Sequence, residues 1–117
     1  MFKPKVRRFL EDECNKVIDK LKAMSSADLR AMSSAKVPDR GKILDTVAVY
    51  PDGRKATMTV FVKQESPECL LVIVQCSMPM KGFMGRLGIE HVQVDGFRRY
   101  ADGRTEQVVD STLNEYE

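Results

Sequence analysis

Residues 55–64 read KATMTVFVKQ, and this stretch decides the fold class. Apolar side chains alternate there with polar or charged ones; the apolar positions are Ala56, Met58, Val60 and Val62. Successive side chains of a β-strand point to opposite faces, so the alternation predicts a strand with one buried and one wet face. Phe61 is the exception, because it places an aromatic ring on the wetter face.

Four more stretches have strand-like composition and are separated by short turn-forming segments. They read ILDTVAVY (43–50), CLLVIVQCSM (69–78), IEHVQVDGFRRY (89–100) and TEQVVDSTLNEY (105–116). Residues 70–74 are apolar on both faces, which is typical of a central strand. In the fourth stretch the apolar phase shifts at Asp95-Gly96, and a glycine at such a slip predicts a β-bulge.

The segment from Pro4 to Met24 has helical periodicity instead. Its apolar residues recur at steps of three and four and form one stripe: Val6, Phe9, Leu10, Cys14, Val17, Ile18, Leu21 and Met24. Pro4 suits the first position of this helix. We expect Ser26 to cap a short second helix that carries Leu29 and Met32 on one side.

Two helices followed by five strands with tight connections predict the α+β class. We expect the N-terminal amphipathic helix and the short second helix to pack on one face of a roughly five-stranded antiparallel meander sheet. The expected organisation is a single α+β domain over 1–117, with a helical layer in 1–35 and the antiparallel sheet in 42–114. This layering is similar in outline to cystatin-like and NTF2-like folds, a resemblance of architecture that no motif accompanies.

Composition narrows the classes of protein to which this chain can belong. The 117 residues carry a net charge of +2, too small to require an acidic partner. The longest apolar run, CLLVIV at 69–74, is too short to span a membrane. The N-terminus turns acidic before any apolar stretch develops, so no signal peptide is expected. With three cysteines, we expect reduced thiols, no disulfide and a cytoplasmic location.

The frame Tyr-x-Asp-Gly-Arg occurs twice, at residues 50–54 and 100–104. Each copy lies between two strand-like stretches, where Asp-Gly fits either a type I turn with a left-handed glycine or a tight Asp-Gly hairpin. Tyr and Arg then become cross-strand neighbours, and the ring covers the stem of the arginine. We therefore expect one turn geometry used twice and no ligand at either copy.

No constellation of catalytic residues is recognisable. His91 is the single histidine, and no serine or cysteine stands in a nucleophile setting. Cys69, Cys76 and His91 form the only trio of metal-ligand types, and their spacing is not that of a metal site. We therefore predict no catalytic residue, no metal site and no cofactor.

The most distinctive stretch is CSMPMKGFMGRLG, at residues 76–88. One interpretation is a helical turn or two that begins near Pro79, ends at Gly88 and packs an apolar face inward. The other is a flexible, methionine-rich, basic segment that opens onto a partner or ligand, here called the lip (residues 78–88), because methionine suits promiscuous surfaces. Its candidate binding residues are Met78, Met80, Lys81, Phe83, Met84, Arg86 and Leu87.

Three functions follow as hypotheses. The first is a non-catalytic binding or protein-interaction domain, with a homodimer through the open sheet face as one form of it. The second is a pocket for a small apolar ligand between the helix and a curved sheet, gated by the lip. An isomerase-like enzyme built on that pocket needs an acid or base, and the candidates are Asp45, Tyr50 and His91.

The third hypothesis is weak binding of single-stranded nucleic acid. Arg98, Arg99 and Arg104 lie near Phe97 and Tyr100, and cations beside aromatic rings can bind phosphates and stack bases. Arg98 and Arg99 point to opposite faces of their strand, however, and pairing with Glu106 is the simpler expectation for these arginines. A protein partner or a second copy is therefore favoured over nucleic acid, and no membrane partner is expected.

Overall fold

The computed structural model of the chain describes residues 5–32, 42–43, 48–109 and 113. It confirms an α+β arrangement in which helices pack on a curled antiparallel sheet that forms a half-barrel. The strand order is β1-β3-β4-β5-β6, and β2 also pairs with β3. The elements are α1 (Lys5–Lys22), α2 (Ser26–Met32), β1 (Lys42–Ile43), β2 (Ala48–Val49), β3 (Lys55–Ser66), β4 (Cys69–Pro79), α3 (Phe83–Arg86), β5 (Glu90–Tyr100) and β6 (Thr105–Gln107).

The two central strands separate two apolar clusters. The alternation predicted for β3 is confirmed, since its even-numbered apolar residues are buried under the helices. In β4, Leu70, Val72 and Val74 point to that helical side, whereas Leu71 and Ile73 point to the outer face. Because β4 is buried on both faces, its unbroken apolar run is explained.

Helix α1 supplies the cover of the inner face. Its buried stripe is Leu10, Cys14, Val17, Ile18 and Leu21. The helix begins at Lys5 and ends at Lys22, close to the predicted bounds, and Pro4 lies outside the described residues. Its last carbonyl groups are bound by Arg99 of β5, whose Nη2 donates to Lys22 O at 2.7 Å and whose Nη1 donates to Met24 O at 2.9 Å.

The cap of α2 differs from the prediction by one residue. The N–H of Asp28 donates to Ser25 Oγ at 3.1 Å, so Ser25 and not Ser26 is the capping residue. Ser26 is the first helical residue. Leu29 is completely buried, as its place on the apolar side predicted, and Met32 packs against the same cluster.

The outer face of the sheet is not open at its centre. The predicted fifth strand over 105–116 ends at Gln107, which corrects its length. The chain then folds over the sheet, where Val108 is buried beside Leu71, Ile73 and Val94 and where Leu113 packs partly on the same cluster. If β6 continued past Gln107, the outer-face side chains Leu71, Ile73 and Val94 would lose their contact with Val108.

The bulge predicted at Asp95-Gly96 is wrong. The pairing of β4 with β5 runs without a shift from Cys69 opposite Tyr100 to Pro79 opposite Glu90. The apolar phase changes because Val94 belongs to the outer cluster and Phe97 to the inner one. A register shift occurs instead in the β3–β4 pairing, between Gln64 and Ser66.

The strand predicted over 43–50 is present as two short pieces. Both β1 and β2 pair with β3, at Val60 and Ala56 respectively, and residues 44–47 lie outside the described residues.

The repeated Tyr-x-Asp-Gly-Arg frame has the same backbone geometry in both places. The glycine N–H donates to the tyrosine carbonyl, at 2.8 Å for Gly53 and 2.9 Å for Gly103. Both glycines have a left-handed φ, +93° and +90°, a backbone conformation that residues with a side chain rarely adopt. The aspartate carboxylate accepts the arginine N–H, and the guanidinium lies over the tyrosine ring. One turn geometry used twice is confirmed.

Candidate functional site

The lip is an exposed but well-bonded connection between β4 and β5. Ile89 closes it, because Met80 N donates to Ile89 O at 3.0 Å and Ile89 N donates to Met84 O at 3.1 Å. Within it, α3 spans only Phe83–Arg86 and buries no residue. The interpretation of an inward-packed helical face is therefore wrong for this segment.

The apolar side chains of the lip point to solvent. Phe83 is 71% exposed and Leu87 is 60% exposed, with Met84, Ile89 and Val92 also exposed. Met80 is half-buried. Met78 differs from the other candidates, because it lies within β4 and is completely buried in the inner cluster, so it cannot touch a partner at the surface.

Arg54 anchors the base of the lip to the first of the two repeated turns. Its guanidinium donates from Nη1 to Pro79 O at 3.0 Å and binds Asp52 Oδ2 through Nε at 2.8 Å. Hydrogen bonds from Arg54 hold the pKa of the Asp52 carboxyl below its ordinary value. The second copy of the turn has no such role: Arg104 lies 3.9 Å from Asp102 and both side chains are about two-thirds exposed.

An open cleft of about 340 Å³ lies between this turn and the lip. It is lined by Asp52, Arg54, Pro79, Met80, Lys81, Gly82, Gly85 and Arg86. The close path of the chain requires Gly85, since a Cβ there would collide with the Met80 carbonyl. The described lining of the cleft has three cations, Arg54, Lys81 and Arg86, against the one carboxylate of Asp52, whose pKa the charge of Lys81 also helps to lower, so the rim is basic.

Strand β5 has a free edge beside the lip. Its partner β6 pairs only with Phe97–Arg99, and Val108 N donates to Gly96 O at 3.4 Å. No described strand pairs with residues 90–94 on the side away from β4. The edge closes at Asp95, whose Oδ1 accepts bonds from Gly96 N at 2.8 Å and Gln107 Nε2 at 2.7 Å.

The two candidate pocket residues that the structure describes, Tyr50 and His91, do not lie in one site. Asp45 lies outside the described residues. Tyr50 packs its ring edge-on against Phe9, with centroids 5.1 Å apart, at the β2–β3 turn. His91 lies in β5 opposite Met78, and strands β3 and β4 separate it from Tyr50.

The arginines proposed for nucleic acid make contacts within the protein. Arg98 binds Glu65 at 2.7 Å, so the expected pairing with Glu106 is wrong for this residue, although Glu106 lies opposite it in the sheet. Glu106 instead accepts a hydrogen bond from Tyr100 Oη at 3.3 Å. Arg99 is buried at the end of α1, on the opposite face from Arg98 as predicted. Few cations of this group remain for phosphates.

Sequence reasoning identified the lip but missed the free edge and the anchoring role of Arg54. The edge was hidden by the prediction of a fifth strand long enough to cover all of β5. In the described part of the chain, no group of three or more His, Cys, Asp or Glu side chains is placed to hold a metal ion. No described helix is both long and apolar enough to cross a bilayer.

Comparison of the chain with protein-family models, with curated proteins and with solved structures finds no match. The lip, the adjoining cleft and the free edge of β5 are therefore the surfaces from which a function can be proposed.

Proposed function

We propose that the protein is a non-catalytic interaction domain that binds a protein partner through the lip and the beginning of β5. The observation that carries the proposal is the clustering of exposed apolar side chains. Of the seven large apolar side chains that are exposed in the described residues, five lie between Phe83 and Val92. Scattered single residues of this kind are ordinary, whereas a concentration of them in one connection and the strand that follows it favours a contact surface.

The chemistry of the surface fits a protein partner. Phe83 and Leu87 provide apolar area whose burial contributes roughly 1.5–3 kcal/mol per side chain, and Met84 adapts its shape to a partner. Lys81 and Arg86 form a basic rim, which favours the approach of an acidic surface. The hydrogen-bonded backbone of the lip lowers the entropy cost of binding, because the loop is already ordered.

The two other hypotheses have less support. The space between α1 and the sheet is filled by buried apolar side chains, and the cleft lies outside it at the lip. Among the described residues, Arg99 is the only buried polar or charged side chain, and its hydrogen bonds go to carbonyl groups and Thr105, so it supports neither a pocket ligand nor an isomerase-like activity. Weak nucleic-acid binding has little support, because Arg98 and Arg99 make contacts within the protein. We propose the cytoplasm as the compartment, since all three cysteines are free thiols.

Photo-crosslinking in living cells tests the proposal directly. A benzophenone amino acid replaces Leu87 in the lip, or Gln64 as a control that is also exposed but lies far along β3. We expect a discrete protein adduct from position 87 and none from position 64. The adduct should disappear when Phe83→Ser is added, because the apolar contact is lost.

Three results would overturn the proposal. Equal adducts from positions 64 and 87, or none from position 87, would show that the lip is not a contact surface. Adducts of lipid mass would identify a bilayer as the partner. The adducts are identified by mass spectrometry of the crosslinked peptide.

A further inference from the structure

We propose that the partner is a second copy of this chain, added edge to edge so that the two β5 strands pair antiparallel about a two-fold axis at Val92. This inference rests on the proposed function, because it uses the same surface. It adds the identity of the partner, the mode of contact and the register.

The backbone of β5 is oriented for such an addition. Gly96 O accepts from Val108 and Tyr100 N donates to Arg104 O, both on the β6 side. Ile89 O accepts from Met80, on the β4 side. Backbone groups of a strand alternate in direction, so those of Glu90, Val92 and Val94 point away from β4. No described residue accepts or donates to them, and an unpaired row of this kind is a template for another strand.

One register uses the whole free edge. With Val92 opposite Val92 of the second copy, Glu90 lies opposite Val94 and the reciprocal pair follows by symmetry. Each directly opposed pair exchanges two bonds, so this register forms about six backbone hydrogen bonds. A shift toward Tyr100 would bring the new strand onto Gly96, which Val108 already occupies. A shift toward the lip would leave Val94 unpaired.

The side chains favour a second copy over an unrelated strand. An isologous interface needs a self-complementary surface, and here the 40% exposed Val92 meets itself across the axis. The lip of one copy then lies beside the end of β6 in the other, where Val109 is 61% exposed. Asp95 borders the edge, and the lip of the other copy, which approaches it in this register, carries Lys81 and Arg86.

A proline substitution separates edge pairing from side-chain contact. Val92→Pro removes an N–H that points away from β4, so the pairing of β5 with β4 keeps its hydrogen bonds. We expect the dimer dissociation constant, measured by sedimentation velocity, to rise at least about tenfold. Val92→Ile keeps both the N–H and an apolar side chain, and should stay within about threefold of the unsubstituted protein. Equal dissociation constants for the two variants would overturn the inference.

Hydrogen exchange of the unsubstituted protein gives a second test that needs no variant. In dilute solution the amides of Val92 and Val94 should exchange fast, while that of Gln93, which faces β4, is protected. In concentrated solution the first two should become protected as the dimer forms. Protection that is unchanged with concentration, or a protein that stays monomeric, would overturn the inference. A lip adduct with a different protein would do the same, yet it would leave the proposed function intact.

Discussion

Gly96 shows how one residue can carry two different explanations. The sequence pattern around it suggested a bulge, because a glycine coincides with a change of apolar phase. In the fold, the strand is regular and the glycine is needed for space. A Cβ at this position would collide with Val72 O and would lie 2.6 Å from Ile73 Cδ1. A glycine in the sequence is compatible both with a bulge and with a site that has no room for a Cβ. Only the neighbouring residues across the sheet distinguish the two.

Gly96→Ala should therefore destabilise the fold. We expect a loss of about 2–3 kcal/mol in the free energy of unfolding, measured by urea denaturation, since an added methyl group in a packed site forces the backbone to move. Gly103→Ala is the matched control: open space surrounds it and only its left-handed φ is strained, so the loss should be about 1 kcal/mol. Equal losses at the two positions would contradict the steric explanation.

At the scale of the elements, α1 is held at its C-terminal end by a strand. Arg99 is buried and has no carboxylate partner in its hydrogen bonds; it binds two carbonyl groups at the helix end and Thr105 Oγ1 at 3.0 Å. A cation at this end is favoured by the helix dipole, and the carbonyl groups would otherwise lack partners. One side chain thus joins the helical layer to the sheet.

Arg99→Met should cost about 3 kcal/mol of stability, since two charge-assisted hydrogen bonds are lost and the carbonyl groups stay partly buried. Arg98→Met is its neighbour and control. It removes a partly exposed pair with Glu65, and such pairs contribute about 1 kcal/mol or less. Thermal and urea unfolding of both variants check the difference. Similar losses would mean that the helix end is held by other contacts.

The elements that periodicity determines were predictable, and the bounds that tertiary contacts determine were not. The stripe of α1 and the alternation of β3 require only local spacing. The end of β6 at Gln107 depends on the packing of Val108 against Leu71 and Ile73, which are far away in the sequence. The lip could be found from composition, whereas the free edge follows only from the short β6. The exposure of Phe83 and Leu87 was also not predictable, because the helical spacing of these apolar residues is equally compatible with a face that packs on the core.

At the scale of the whole molecule, the buried thiols make the free energy of unfolding depend on pH. Burial raises the pKa of Cys14 to about 12 and that of Cys76 to about 11. Burial is also the main cause of a raised pKa at Cys69, with Glu65 adding to it. The folded protein therefore keeps protons that the unfolded chain releases above about pH 9.

Stability should consequently fall as the pH rises above 9. Below pH 9 the contribution of the thiols to stability should be constant. For Cys14 alone the fall approaches about 1.4 kcal/mol per pH unit between the two pKa values. Urea midpoints at pH 8 and pH 10 measure it. Cys14→Ala should lower the stability at pH 8 but give a shallower dependence. An unchanged slope in that variant would mean that the thiol of Cys14 does not contribute to the pH dependence.

The two repeated turns also differ in how strongly they restrain isomerisation of their Asp-Gly pairs. An Asp-Gly pair isomerises when the glycine nitrogen attacks the aspartate carboxyl group, and both turns restrain this by bonding that N–H to a tyrosine carbonyl. The carboxylate of Asp52 is also gripped by Arg54 at 2.8 Å, whereas Asp102 is 3.9 Å from Arg104. Of these two turns, we therefore expect isoaspartate to accumulate first at the one that contains Asp102. Asp102 lies past the far end of β5, so isomerisation at this turn would alter the protein away from the proposed contact surface.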